Sequence, residues 1–306
     1  MSLITVGTMA FDAIETPFGK ANKIVGGSAM YAAYAASYFV KRVHQISIIG
    51  YDFPQEELTA MEKRGIRMDG VEKVKNKKSF FWKGKYHEDM NSRDTLVTDL
   101  NVLADFNPVV PASYNGAEFV MLGNLMPKLQ MSVIDQLKKK PKLIVMDTMN
   151  FWMETAMDDL KKVLKRVDLL LVNDAEAREL THQYSLVKAA KKIMEMGPKY
   201  LIIKKGEHGA LLFHKNKVFF APAFPLEDVF DPTGAGDTFA GGFIGHLAKT
   251  RSVSFENMKK AIIMGSVMAS FCVEKFGNTR LKELTRGDIN KRLKQFKELT
   301  NFETTL

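Results

Sequence analysis

Asp231-Pro232-Thr233-Gly234-Ala235-Gly236-Asp237-Thr238-Phe239-Ala240-Gly241-Gly242 is the stretch on which the reading of this chain turns. Pro232 and the glycines place a tight loop at its start, where backbone can approach a ligand closely. From Thr238 to Leu247 the pattern is that of a helix with small residues along one side. A Gly-Ala-Gly turn running into a helix N-terminus aims free N–H groups at one point, which suits a phosphate or a developing anion. Asp237 stands at the mouth of that cradle. A carboxylate there is a poor anion ligand and a good general base, able to take a proton from a hydroxyl while the N–H groups stabilise charge. The plainer reading of the same residues is an Asp capping an ordinary glycine-rich turn.

The surrounding chain supplies the scaffold. Short apolar runs recur at Leu3 to Gly7, Ile46 to Gly50, Phe119 to Leu122, Leu143 to Met146, Leu169 to Val172 and Leu201 to Ile203. Helical patterns separate most of them, at Ala29 to Tyr38, Met131 to Lys139, Asp158 to Arg166, Ala175 to Leu180 and Leu186 to Met196. Strands alternating with helices predict βαβ units, hence an α/β fold of three layers with a mostly parallel central sheet. Ala210 to His214 and Lys217 to Ala221 flank Lys215-Asn216 as a hairpin that ends the sheet antiparallel. Residues 70–101, with part of 10–25, break the rhythm and are expected to form a small β-lid on a single body spanning 1–306. Within it, Trp82 to Tyr86 reads as two strands meeting at a turn. At the C-terminal end, Thr285 followed by Asp288 predicts a capped helix.

Composition narrows the class. The chain has 306 residues, 46% hydrophobic and 26% charged, which excludes disorder and allows a large core without covalent staples. One cysteine, Cys272, permits no intrachain disulfide and suits a reducing compartment. No signal-peptide pattern and no membrane-length apolar run are present, so the expectation is a soluble, cytoplasmic protein without a membrane partner. Lys and Arg outnumber Asp and Glu by 44 to 35, a net charge of +9. The lysine runs are short and scattered and no nucleic-acid signature accompanies them. That balance fits an enzyme that attracts an anionic small molecule better than one that binds nucleic acid.

The motifs, taken together, resemble the ribokinase-like (PfkB) family of carbohydrate kinases. Asp231 to Gly242 resembles its C-terminal signature, and Gly26-Gly27-Ser28-Ala29 its first Gly-Gly signature. Asn173-Asp174-Ala175-Glu176 resembles its N-x-x-E motif, and Lys204 to Gly209 its nucleotide-side loop. These occur in order over nearly the whole chain. The resemblance implies transfer of the γ-phosphate of ATP to a hydroxyl of a small sugar, with Asp237 as base and the backbone of Gly234, Ala235, Gly236 and Asp237 as anion hole. It implies ATP contacts at Asn173, Lys204, Gly206 and Gly209. Asn173 and Glu176 would face a magnesium-water shell, although the same spacing is also a helix cap. Asp231, with the loop at Gly277, matches a K+ position.

On the substrate side the resemblance assigns sugar hydroxyls to Asp12, Gly26 and Gly27. Two departures put ribose itself in doubt: Ala10 and Tyr31 stand where ribokinases carry asparagines. Tyr31, with Phe81, Trp82 and Tyr86, forms either an aromatic wall against a sugar or base, or simply core. Arg93 is a candidate for an anionic substituent and Asn124 for a hydroxyl. A nucleoside kinase of the same fold is the rival reading, and a catalytically silent nucleotide- or sugar-binding regulator a further one. Pairing of lids between subunits would give a homodimer.

Overall fold

Leu3–Val6, Phe119–Leu122 and Leu143–Asp147 are buried at every position, the mark of strands covered on both faces. The computed structural model describes residues 2–301; Met1 and residues 302–306 lie outside the described residues. The strands are β1 (Leu3–Val6), β2 (Ala10–Thr16), β3 (Gly19–Gly26), β4 (Val43–Ile49), β5 (Ile66–Lys73), β6 (Phe80–Tyr86) and β7 (Arg93–Asp99). They continue as β8 (Phe119–Leu122), β9 (Leu143–Asp147), β10 (Leu169–Asn173), β11 (Tyr200–Lys204), β12 (Ala210–His214) and β13 (Lys217–Ala221). One sheet has the order β13-β12-β11-β10-β9-β8-β1-β4-β5. It is parallel from β11 to β5, and β12 and β13 close it antiparallel as the expected hairpin.

Helices cover both faces. Leu3 belongs to one hydrophobic core and Ile4 to the other, as strand alternation requires. In the first core the helix Ser28–Ser37 packs on the helix Ala235–Thr250. A Cβ on Gly241 would come within 2.2 Å of the Ala32 carbonyl oxygen, so the two helices meet almost backbone to backbone. Their N-termini, at Gly27 and Gly234, therefore emerge together at the C-terminal edge of the parallel strands. Ligands of open α/β sheets bind along that edge.

The second sheet has the order β3-β2-β6-β7. Two expectations differ here. The segment from residue 70 does not all belong to it: Gly70 to Lys73 complete β5, a parallel edge strand of the main sheet, anchored where the Gly70 N–H donates to the Tyr114 hydroxyl at 3.0 Å. Nor is there a turn inside Trp82 to Tyr86, which run as one strand. Gly84 marks the place where the Trp82 indole lies against backbone, 2.1 Å from where a Cβ would sit. The turn comes later, where the Asp89 carboxylate accepts the N–H groups of Asn91 and Ser92 at 3.0 and 2.8 Å. Thr285 and Asp288 form the expected capping box of the helix Arg286–Thr300.

Candidate active site

Gly234 is the N-cap of the helix Ala235–Thr250, with φ +77°, a conformation that favours glycine. The Tyr31 ring lies directly against it, 2.5 Å from where a side chain would begin. The Thr238 N–H is the first to enter the helix ladder, donating to the Gly234 carbonyl at 2.8 Å. The Ala235 N–H is spent on the Pro232 carbonyl at 3.2 Å, so of the four groups expected to form the anion hole this one is engaged. The N–H groups of Gly234, Gly236 and Asp237 find no backbone acceptor among the described residues. They are the free donors that such a cradle requires.

Asp237 occupies the first turn of this helix, and its carboxylate makes no ion pair or hydrogen bond among the described residues. Burial holds its pKa above the ordinary carboxylate range, and the charge of Asp147 raises it further, while Lys204 and Arg93 oppose the shift. A carboxylate so placed takes up a proton readily. Beneath it, Asp231 is fully buried and joins two loops, accepting the Thr233 N–H at 2.8 Å and the Gly277 N–H at 2.8 Å. Its pKa is also raised by burial, with no lysine or arginine among its causes.

The ends of β9, β10 and β11 bring three further groups together. Lys204 Nζ lies 3.0 and 3.3 Å from the two oxygens of Asp147, which sits 5% exposed at the end of β9. A Cβ on Gly236 would stand 3.1 Å from the same ammonium. Asn173 and Glu176 form a capping box: the Asn173 side chain accepts the Glu176 N–H at 2.7 Å, and Glu176 accepts the Asn173 N–H at 2.7 Å. One Glu176 oxygen remains unused by it. Burial raises the Glu176 pKa to about 7, with Lys204 opposing and Asp147 adding to the shift. Asp147 was not among the candidates from sequence. Its one signal was a carboxylate closing an otherwise apolar strand, Leu143-Ile144-Val145-Met146-Asp147.

The second sheet brings a further set of candidate residues to this edge. Asp12 pairs across strands with Trp82, Ile14 with Gly84, and Tyr86 with Arg93. Alternation therefore puts Asp12, Trp82, Tyr86 and Arg93 on one face. That face meets the body, because the Tyr86 and Thr233 hydroxyls are 3.2 Å apart. Asp12 lies against Gly26, whose Cβ would be 2.0 Å from its carboxylate oxygen. Burial, then the charges of Asp231 and Asp237, push its pKa up to about 8, with the Gly27 N–H opposing. Arg93 is exposed and lies 5.9 Å over the Trp82 ring. Gly206, expected on the nucleotide loop, lies under the Asn91 side chain, so the turn of the second sheet reaches that loop. Gly209, with φ +85°, ends the same loop.

The expected aromatic wall divides. Tyr31 is 1% exposed and packs in the core beneath Gly234, its hydroxyl without a partner among the described residues. Phe81 faces the opposite way from Trp82 and packs on the main core. Asn124 is engaged within the body: its carbonyl oxygen accepts the Trp152 indole N–H at 2.8 Å, and its amide lies 3.0 Å from the Met149 sulfur.

Comparison with known proteins agrees with this architecture. The model of the pfkB family carbohydrate kinases matches residues 2–284. A cytidine kinase from Thermococcus kodakarensis is 28% identical over 284 residues, 91% of this chain and 98% of its own. Among solved structures, the nucleoside kinase of Methanocaldococcus jannaschii superposes with a TM-score of 0.77 at 21% identity, covering 96% of this chain and 99% of its own. Aminoimidazole riboside kinase from Salmonella enterica, solved with its riboside and an ATP analogue, gives 0.75 at 18% identity, with 96% and 100% covered. No described helix is long and apolar enough to cross a membrane.

Proposed function

The chain belongs to the pfkB family of carbohydrate kinases, ATP-dependent phosphotransferases acting on sugars or nucleosides, and we propose that its acceptor is a nucleoside. The observation that carries this reading is the pairing of Asp12 with Trp82 on the inner face of the second sheet. A buried carboxylate accepts from ribose hydroxyls, and an indole beside it offers a flat surface for a base. A free pentose needs the first and covers less of the second than a planar base does. The likeness to a cytidine kinase over 91% of the chain supports the same choice over the free sugar.

In this reading Asp237 takes the proton of the acceptor hydroxyl while the Gly236 and Asp237 N–H groups meet the charge on the transferred phosphoryl group. The second sheet is the lid that covers the acceptor, and the loop from Lys204 to Gly209 receives the nucleotide. The donor set suits magnesium: Asp147, Glu176 and Asp237 crowd around Lys204, with Arg93 the further cation that acts on Glu176 and Asp237, so carboxylates still outnumber cations there. Among the described residues no three His, Cys, Asp or Glu side chains form a closed metal group. Glu176 and Asn173 would hold the ion through water, and it would neutralise phosphate charge. Potassium beside Asp231 would supply the countercharge that this buried carboxylate lacks.

The test is a panel of ribonucleosides, ribose and hexoses, read by ATP consumption. Turnover with at least one ribonucleoside at far higher kcat/KM than with any free sugar is expected. Preference for a free sugar overturns the nucleoside reading.

A further inference from the structure

The Lys204 side chain has a place in the site that is specific to the phosphoryl group. It is 18% exposed and the side chain of its partner Asp147 is 7% exposed. A buried ion pair of this kind is weak evidence for stability, because desolvation offsets most of the attraction. The ammonium carries three donors. Asp147 takes up the contacts on one side, at 3.0 and 3.3 Å. On the other side the ammonium stands over Gly236, 3.1 Å from where a Cβ would be, at one of the three free N–H groups of the turn. A larger residue at Gly236 would crowd the ammonium. Lys204 and the anion hole thus address the same small volume, beside the carboxylate of Asp237.

We propose that the Lys204 side chain is a catalytic residue that binds the γ-phosphoryl group in the anion hole, and that Asp147 is its positioning residue. The inference rests on the kinase reading above and goes beyond it by assigning the cation that meets the transferred group. In the step, the acceptor oxygen forms a bond to the γ-phosphorus as the bond from that phosphorus to the β,γ-bridging oxygen breaks. The bridging oxygen leaves with its electron pair on ADP, and the hydroxyl proton passes to Asp237. Lys204 forms no covalent bond. Its fixed charge faces the phosphoryl oxygens throughout, with Asp147 holding the ammonium in place so that little reorganisation is needed.

Affinities for ATP and ADP, together with turnover, test this in the full chain. Removing one preorganised donor from such a site costs about 100- to 1,000-fold in kcat. Lys204→Met is expected to lose that much, to bind ATP at least tenfold more weakly, and to keep ADP affinity within about threefold, since ADP lacks the group contacted. Asp147→Asn should lower kcat less and preserve the same ATP-to-ADP contrast. Propylamine should partly restore turnover to Lys204→Ala. Equal losses of ATP and ADP affinity, or a kcat within about threefold of the parent, overturn the proposal. Where Lys204→Met does not fold, Lys204→Arg keeps the charge and moves it. It should lower kcat with ADP binding intact, and unchanged kcat would count against the assignment. Should no acceptor support turnover in the parent protein, the function reading fails, while the ATP-to-ADP contrast still decides the role of Lys204.

Discussion

The two halves of the site are held by different means. The transfer half stands on the ends of β9, β10 and β11 and on the helix Ala235–Thr250, elements whose apolar faces are sealed in the two cores. The acceptor half stands on the second sheet, whose outer strand β7 is exposed at every position. That sheet meets the body along its strand β2, buried at all but one position with Phe11 in the first core, and through further polar and aromatic contacts. These include Tyr86 on Thr233 at 3.2 Å, the Thr16 hydroxyl on the Phe230 carbonyl at 3.0 Å, and the Phe18 and Phe230 rings 5.4 Å apart. Each hydrogen bond of this kind contributes about 1 kcal/mol. The transfer half is therefore fixed by burial of whole elements, whereas the second sheet is fixed along β2 and exposed along its outer strand β7.

Substitutions on the two sides should separate these roles. The largest effect is expected from Asp237→Asn, which keeps shape and removes the proton acceptor. Loss of a general base costs about 100- to 10,000-fold in kcat, and ATP affinity measured by calorimetry should stay close to the parent value. Retained turnover would remove Asp237 from the role of base.

Asp12→Asn acts on the other half and should appear mainly in the acceptor KM, raised about tenfold for the loss of a carboxyl oxygen that accepts from the acceptor hydroxyls. It carries a stability signature as well. The folded-state pKa of Asp12, about 8, lies above the unfolded value of 3.8, so the folded protein binds the extra proton. This contribution to stability is present below the unfolded pKa and is lost as pH rises through the folded pKa. The parent should lose stability from pH 4 towards pH 9 relative to Asp12→Asn, as followed by thermal melts without ligand. Equal pH dependence in the two proteins would show that Asp12 is not held in this way.

The smallest effect is expected from Tyr86→Phe, which deletes the hydroxyl that meets Thr233. A loss of about 1 kcal/mol corresponds to a roughly fivefold rise in acceptor KM with little change in kcat. A fall in kcat equal to that of Asp237→Asn would mean that the second sheet takes part in the chemistry and is not only a cover.

Much of the transfer half was legible in the sequence because its signals are local. A glycine-rich turn before a helix exposes N–H groups wherever the helix is placed, and N-x-x-E folds back on itself within one turn. The acceptor half was less legible. Asp12, Trp82 and Arg93 lie on three strands, and the face they share depends on register, since a slip of one residue would turn each of them over. Gly84 looked like a turn because glycine is common in turns, whereas here it accommodates the indole of Trp82 two residues away. Tyr31 could be either wall or core from its sequence context. Its place beneath Gly234 follows from the close crossing of two helices some 200 residues apart in the chain, and no local pattern reports that crossing.

By itself the sequence determined the α/β class, the alternation of strands and helices through most of the main sheet, and the glycine-rich turn that leads Asp237 into a helix, because each rests on periodicity or on backbone geometry within a few residues. Tertiary structure alone decided that Lys204 meets Asp147 over Gly236, that Asp12 and Trp82 share a face, and that Asn124 and Tyr31 are tied into the body. Those juxtapositions depend on sheet order and helix packing, where residues far apart in the chain are brought together by the burial of the elements that carry them.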